Sequence, residues 1–448
     1  MNLRRARRQP PAKAGPPSFG RGGEALMAEH GNERSGSDQL MEEVVARENM
    51  WAALRRVKRN KGSSGIDGMT VEQLAPYLKT AWPGIREQLL AGTYQPQAVR
   101  RHEIPKKSGG MRQLGIPTVI DRLIQQAMLQ VLQPRFDPGF SEHSYGFRPG
   151  RGAHDAVRAA QKYIQEGRRI VVDVDLEKFF DRVNHDVLMG RLAKRIADKR
   201  VLGLIRRYLN AGVMVNGVVQ ERSEGTPQGG PLSPLLANVL LDEVDKELEK
   251  RGHAFARYAD DCNVYVRSRR AGERVMQGLR RLYAGLRLRI NETKSAVGNA
   301  KMRTFLGYGI WRRRREVMLR VDPKAIAAMK DRVREITARS RGWSMKAVVG
   351  ELRAYLIGWK QYFRLAYTPR VFRNLDGWIR RRLRALQLKH WKRGRPAYRE
   401  LRKLGVSDFW SRMVASSIQR MYWTAHTHAQ VALPDRHFDQ LGVPHLAP

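Results

Sequence analysis

One cysteine, Cys262, in 448 residues excludes an intramolecular disulfide framework and any zinc site built on cysteine pairs. No run of about twenty apolar residues occurs, so no membrane-spanning helix is expected. Acidic residues are few beside basic ones: 43 Asp and Glu against 84 Lys and Arg, a net charge of +41 and a sequence pI near 11.1. With 42% hydrophobic residues, ordinary for a folded chain, this excess is no sign of disorder. A chain so far from neutrality repels itself unless it meets a polyanion, and nucleic acid is the expected partner. Binding through phosphates should weaken steeply with salt. The length suggests two to four domains, and no internal repeat is evident.

What is present is a set of carboxylates at the ends of short apolar runs. Tyr258-Ala259-Asp260-Asp261 stands between Phe255-Ala256-Arg257 and Val264-Tyr265-Val266. These flanks read as strands over 254–258 and 263–266, with the aspartates at the connecting turn. Adjacent carboxylates repel each other unless a cation neutralises them, and hard oxygen donors at a tight bend suit Mg²⁺. Alone, Asp-Asp between strands is more often an ordinary turn. Upstream, Val171-Val172-Asp173-Val174-Asp175 passes into Phe179-Phe180-Asp181, as a buried strand over 170–174 would on leaving a sheet at the edge of a site. A third carboxylate from this strand would complete a two-metal centre. At least one of Asp173, Asp175 and Asp181 is expected to be a solvated strand end instead.

Between the two carboxylate segments lies Gly225-Thr226-Pro227-Gln228-Gly229-Gly230-Pro231-Leu232-Ser233-Pro234. Ser233 is expected to cap the following helix, with Pro234 in its first turn. Leu235, Leu236, Val239 and Leu240 form its apolar stripe. The glycines suit either a plain loop or a turn that a base pair can approach closely.

In this order the three segments resemble the palm motifs of reverse transcriptases, and in particular of group II intron-encoded reverse transcriptase/maturases. Lys61-Gly62-Ser63-Ser64-Gly65-Ile66-Asp67-Gly68 resembles their amino-terminal extension. Ile104-Pro105-Lys106-Lys107-Ser108-Gly109-Gly110-Met111-Arg112 and the residues to Pro117 are similar to their fingers hairpin, and Ser144-Tyr145-Gly146-Phe147-Arg148-Pro149 to another fingers signature. Leu288-Arg289-Ile290-Asn291-Glu292-Thr293-Lys294 and Phe305-Leu306-Gly307-Tyr308 resemble the closing palm motifs. The resemblance runs from about Val57 to about Trp423. It implies an α+β right-hand polymerase fold, fingers and palm, followed by an all-α thumb/maturase (X) domain. The expected divisions are a basic tail over 1–40, an amino-terminal extension and fingers over 41–170, a palm over 171–320, the thumb or X domain over 321–425, and a short tail over 426–448.

The resemblance also implies roles. Asp175, Asp260 and Asp261 match the metal-binding carboxylates, Asp175 being preferred to Asp173 because it stands in the Asp-x₃-Phe-Phe-Asp frame. They would hold two Mg²⁺ ions, with Mn²⁺ as a substitute. Phe179 or Phe180 would lie under the incoming sugar as a gate against a 2′-hydroxyl; the sequence does not choose between them. Lys106, Lys107 and Arg112 would bind the dNTP triphosphate, or a basic hairpin there would touch the template backbone. Gln228 and Gly229 would contact the nascent base pair or incoming nucleotide. Lys294 would protonate the departing pyrophosphate, or be a surface salt-bridge lysine. The implied activity is RNA-directed DNA synthesis with maturase assistance to splicing and retrohoming. The implied partners are group II intron RNA, an RNA template with a DNA primer, and target DNA, for a monomer or dimer in the bacterial cytoplasm at the nucleoid. A reverse transcriptase of a defence or diversity-generating system, and a splicing-only maturase, are the alternatives.

Helical periodicity is expected over 40–60, 63–78 (after a loop), 122–132, 154–165 and 274–286. After about Asp322 strand signals fade and helices follow over 324–339, 345–365, 369–391, 398–404 and 408–422. In the second of these, Val348, Leu352, Tyr355, Leu356, Trp359, Tyr362 and Phe363 read as core. Between Arg370 and Arg395 ten Lys and Arg accompany one acidic residue, Asp376, a bias that suits structured RNA. Arg312, Arg313, Arg370, Arg373, Arg380, Arg381, Arg384 and Lys389 are the expected RNA contacts, with the run 312–315 as a linker. His426, His428, His437 and His445 lack the cysteines of an HNH endonuclease and read as surface residues. For an endonuclease-lacking protein, the resemblance implies priming from an existing 3′ end. Residues 1–23 read as a basic tail or a transit-like segment, with Met27 as another start.

Overall fold

The computed structural model describes residues 39–105, 111–215, 218–220, 224–226 and 229–447. The first helical stretch is broken in two, α1 (Leu40–Val45) and α2 (Arg47–Asn60), because Ala46 between them adopts an extended backbone. They are followed by α3 (Leu74–Leu90), the antiparallel hairpin β1 (Val99–Pro105) and β2 (Met111–Ile116), α4 (Val119–Phe136) and α5 (Ala153–Gln165). Thr118 caps α4 by accepting from the Asp121 amide.

Then come β3 (Ile170–Val174), α6 (His185–Leu192) and α7 (Lys199–Asn210). The short strands β4 (Val213–Val215) and β5 (Val218–Gln220) return to the fingers, giving a sheet of order β2-β1-β4-β5. Next come α8 (Ser233–Lys250), β6 (Ala254–Tyr258), β7 (Asp261–Val266), α9 (Arg269–Gly285) and β8 (Ala296–Asn299). Ser233 is the first helical residue of α8 and not its cap; its hydroxyl accepts from Thr226.

The second sheet has the order β6-β7-β3-β8, every neighbour antiparallel, with Val172 opposite both Val264 and Val297. Side chains alternate across a strand, and here both faces are buried. Val172, Val174, Cys262 and Val264 face a core shared with α4 and α6 to α9, while Val171, Ala256 and Tyr265 face a second core with α5 and the carboxy-terminal helices. Burying each such aliphatic side chain contributes roughly 1.5–3 kcal/mol. Cys262 is fully buried, and burial pushes its thiol up to about 12; it is a small core residue.

A third sheet joins β9 (Thr304–Phe305), β10 (Tyr308–Arg313) and β11 (Glu316–Val321). The arginine run is therefore no linker. Arg313 pairs with Glu316, and Arg314 occupies the left-handed region at the hairpin tip. Gln161 and Gln165 of α5 bond the Val317 backbone, tying this hairpin to that helix.

The chain then turns helical: α10 (Pro323–Ile336), α11 (Met345–Tyr362), α12 (Pro369–Trp391), α13 (Gly394–Lys403), α14 (Asp408–Ser416), α15 (Met421–His426), α16 (His428–Ala432) and α17 (Asp435–Gln440). Val348, Leu352, Leu356, Trp359 and Phe363 are buried as the stripe on α11 required, with Tyr355 and Tyr362 at its margin. Trp359 packs at a tilt against Phe363 and meets Phe372 edge-on, at 4.7 and 6.0 Å between centroids.

The segment after 425 is not a loose tail. Ala429, Leu433, Phe438, Val443 and Leu446 are buried in the second core, and the Leu446 and Ala447 amides both donate to Asp376 of α12. Among the described residues no helix is long and apolar enough to cross a membrane.

Candidate active site

The Tyr258–Asp261 segment forms the tip of the β6–β7 hairpin. Tyr258 pairs with Asp261, so Ala259 and Asp260 make a two-residue turn and Asp261 belongs to the strand. Ala259 takes φ +58°, a conformation that favours glycine and that an alanine holds only under constraint. The constraint is visible at Gly146, where a Cβ would fall 2.2 Å from the Ala259 nitrogen. The fingers motif therefore lies directly on the turn that carries the paired aspartates.

Asp175 stands one residue beyond β3, which neighbours β7 in the sheet. The 288–294 motif holds it. Leu176 bridges Ile290, the Glu177 amide donates to Arg289, and the Asn291 amide donates to the Asp175 carbonyl at 2.8 Å. The Asn291 side chain accepts from both the amide and hydroxyl of Thr293, an Asx turn that carries the chain round to Lys294. The Lys294 ammonium then lies 3.1 Å from Asp175 Oδ2. That oxygen is buried and accepts no hydrogen bond.

The electrostatics are those of crowded carboxylates. Asp261 is pushed up to about 7, first by the protein packed around it, then by the charges of Asp260, Asp175 and Asp173, with Lys294 opposing. Because its side chain keeps an exposed face, the mutual repulsion is the firmer of these causes. Asp173 is raised by burial, opposed by Arg303, whose guanidinium is 3.8 Å away. It sits within the sheet opposite Asn263 and Ala296. Asp181 is exposed at the end of a single 3₁₀ turn, the solvated strand end that was expected of one of the three.

Hard carboxylate oxygens that repel one another, one of them buried and met by the Lys294 ammonium, suit a divalent cation. Among the described residues no three metal-ligating side chains converge on one point as they stand. An ion would therefore have to draw Asp175 away from Lys294 and toward Asp260 and Asp261.

The structure separates the two rings. Phe179 is 2% exposed within the first core, whereas Phe180 is half-buried and meets it edge-on at 5.1 Å. Of the two, Phe180 alone keeps part of its surface exposed. Gly229 has φ +135°, and a Cβ there would lie 2.7 Å from the Gly115 carbonyl of β2. The glycine is thus required by backbone meeting backbone between palm and fingers. Lys106, Lys107 and Gln228 lie outside the described residues. Arg112 stands on β2 opposite Ile104, its side chain likewise outside them.

The expected RNA contacts divide. Arg370, Arg373 and Lys389 are exposed along α12, Arg381 and Arg312 are half-buried, and exposed Arg313 donates to the Tyr367 hydroxyl and stacks on its ring. Arg380 and Arg384 are not surface residues. Arg380 is 0% exposed, paired with Asp439 and Asp376; Arg384 donates to Asp435 and to the Leu433 carbonyl. Their charge is spent inside the protein, holding the carboxy-terminal segment to α12. His445 is exposed, as expected of it, and its ring reaches Asp439 at the edge of this group.

A polymerase palm with an appended helical domain is the class these features define. The family model described as reverse transcriptase (RNA-dependent DNA polymerase) matches residues 104–310, and that of the group II intron maturase-specific domain matches 326–405. The chain is 32% identical over 318 residues to protein YkfC of Escherichia coli K12, covering 62% of this chain and 84% of that protein. It is 34% identical over 272 residues to the group II intron-encoded protein LtrA of Lactococcus lactis subsp. cremoris, covering 59% of this chain and 42% of LtrA; it thus spans less than half of that relative. A solved partial Cas6-RT-Cas1–Cas2 complex shares 26% identity with a TM-score of 0.36, over 57% of this chain and 43% of that one. The chain belongs to the group II intron reverse transcriptase/maturase family. It is an RNA-directed DNA polymerase by its catalytic domain, which implies metal-dependent nucleotidyl transfer, and its maturase domain implies binding of intron RNA.

Proposed function

We propose that the protein copies its own intron RNA into cDNA and binds that RNA to assist splicing and retrohoming. Asp175, Asp260 and Asp261 are the metal ligands in this reading, and Mg²⁺ is the ion, with Mn²⁺ as a substitute. Two bound ions would activate the primer 3′-oxygen and neutralise the leaving pyrophosphate. The residues of the chain do the rest. Lys294 releases Asp175 and is left with its ammonium beside the departing pyrophosphate, where it can deliver a proton. Phe180 closes the space under the sugar against a 2′-hydroxyl. Lys106, Lys107, Arg112, Gln228 and Gly229 hold the incoming dNTP and its base pair.

The observation that carries the reading is the Lys294–Asp175 contact beside the Tyr258–Asp261 turn. Exposed Arg313, Arg370, Arg373 and Lys389, with Arg312 and Arg381 partly exposed, supply phosphate contacts to the intron. The domain divisions we propose follow the order given by the sequence, with the thumb running on through residue 447. The protein acts in the bacterial cytoplasm at the nucleoid, on an RNA template, a DNA primer and target DNA. Extension of a DNA primer on intron RNA, abolished by Asp260→Ala with intron binding kept, tests the reading. Loss of both activities in a folded variant would contradict it.

A further inference from the structure

We infer that Arg257 is a positioning residue for nucleotide transfer: its buried guanidinium holds the left-handed Ala259 turn, and so sets the aim of Asp260 and Asp261. The inference rests on the metal-ligand reading of those aspartates. Arg257 lies on β6 two residues before the turn and is 1% exposed. Its Nε donates to both oxygens of Asp245 at 2.8 and 2.9 Å, and its Nη2 donates to the Ser144 hydroxyl at 2.7 Å. Its Nη1 donates to Asn238 Oδ1 at 3.0 Å and to the Ala259 carbonyl at 2.9 Å.

The partners belong to three segments. Asn238 and Asp245 share one face of α8, two helical turns apart. Ser144 lies in the fingers motif, which runs alongside Arg257 in a parallel bridge: the Arg257 amide donates to His143 and the Tyr145 amide donates to the Arg257 carbonyl, both at 2.9 Å. Asn238 closes the circuit by donating to the Gly146 carbonyl at 2.9 Å. Gly146 is the residue whose missing Cβ leaves room for the Ala259 nitrogen, and its neighbour Phe147 is itself left-handed, at φ +61°. Two strained residues thus face each other across one glycine, and one guanidinium bonds to both sides.

Stability alone does not call for this arrangement, since a buried ion pair can usually be exchanged for well-packed aliphatic side chains. What an aliphatic residue cannot supply is a planar fork donating at once to the turn carbonyl, the fingers hydroxyl and a helix carboxylate. A lysine would keep the charge beside Asp245 but not that reach. Strain at an alanine persists only where the surroundings over-determine it, and Arg257 with Gly146 is that surrounding. If the turn relaxes, the two carboxylates rotate away from Asp175.

The test compares full-length wild type, Arg257→Lys and Gly146→Ala by Mn²⁺ titration monitored by electron paramagnetic resonance, and by single-nucleotide incorporation at saturating dNTP. Melting curves and primer–template affinity serve as controls. Both variants are expected to bind primer–template as wild type does, to bind Mn²⁺ more weakly, and to incorporate roughly 10- to 100-fold more slowly, the loss that a small misplacement of reacting groups produces. Added metal should recover part of the rate. A merely structural role lowers the melting temperature and leaves metal affinity and rate per folded molecule unchanged; that result in Arg257→Lys overturns the inference. Should Arg257→Lys fail to fold, Gly146→Ala decides on the same two readouts. A wild type that neither binds Mn²⁺ nor incorporates nucleotide takes down the metal-ligand reading and this inference with it, whereas an active wild type with unchanged variants takes down this inference alone.

Discussion

The Lys294 ammonium stands 3.1 Å from Asp175 Oδ2, an oxygen that accepts no hydrogen bond. The lysine holds the position a cation would need in order to reach that carboxylate. A protein cation and a metal ion competing for one oxygen cannot both be bound at full strength. Lys294→Ala is therefore expected to bind Mn²⁺ more tightly than wild type and still incorporate nucleotide more slowly, by roughly 10²- to 10⁴-fold, the usual worth of a general acid. Titration of metal binding beside single-turnover kinetics checks both halves. Weaker metal binding would contradict the competition.

Asp261 offers a dependence on pH. Its carboxyl is pushed up to about 7 by its packed surroundings and by Asp260, Asp175 and Asp173. A raised carboxyl in the folded state takes up a proton that the unfolded chain does not hold until near pH 4, so this group adds stability as pH falls from 8 towards 5. Asp261→Asn removes the repulsion permanently. It is expected to raise the melting temperature of the metal-free protein at pH 8, to do so less at pH 5, and to abolish cDNA synthesis. An equal shift at both pH values would show that repulsion is not the cause.

The two phenylalanines should separate cleanly. Phe180→Ala is expected to admit ribonucleotides, read as a fall in the ratio of dNTP to rNTP incorporation. Phe179→Ala should leave that ratio alone and cost about 3–5 kcal/mol of stability, the usual loss for a buried ring. Reversal of the two phenotypes would reassign the gate.

The arginines of α12 separate in the same way. Arg373→Ala is expected to weaken intron RNA binding, to reduce its salt dependence, and to leave the melting temperature near wild type. Arg380→Ala leaves Asp376 and Asp439 without their buried partner and should destabilise the helical domain by about 3–5 kcal/mol. Filter binding at several salt concentrations together with thermal melts distinguishes the pair.

Those arginines mark where the sequence stops being informative. Basic residues recur along α12, at 370, 373, 380–382, 384 and 389, and nothing local tells Arg373 from Arg380. The difference comes from Asp435 and Asp439, 51 and 59 residues further on from Arg384 and Arg380. By contrast, Ile170–Val174 and Ala254–Tyr258 fall where they were expected, because β-branched and aromatic residues bounded by carboxylates and a turn carry their own signal. Motif order alone placed Lys294 with Asp175, and the two meet at 3.1 Å. Which of Phe179 and Phe180 the core takes was not legible, because it depends on packing against distant elements. Arg257 also escaped notice, although an arginine in a buried strand three residues before paired aspartates, with Asp245 among the apolar positions of α8, is a signal that could have been read. Helix ends were the weakest feature: α3 runs on through Pro83 to Leu90, and α9 starts at Arg269 because Ser268 caps it.

The measurement that bears most directly on the central claim is primer extension on an RNA template with dNTPs and Mg²⁺, comparing wild type with Asp260→Ala/Asp261→Ala. The account predicts full-length cDNA from wild type and none from the variant, with both proteins folded and bound to intron RNA. A folded, RNA-binding wild type that makes no cDNA, or a variant that makes as much, would contradict it.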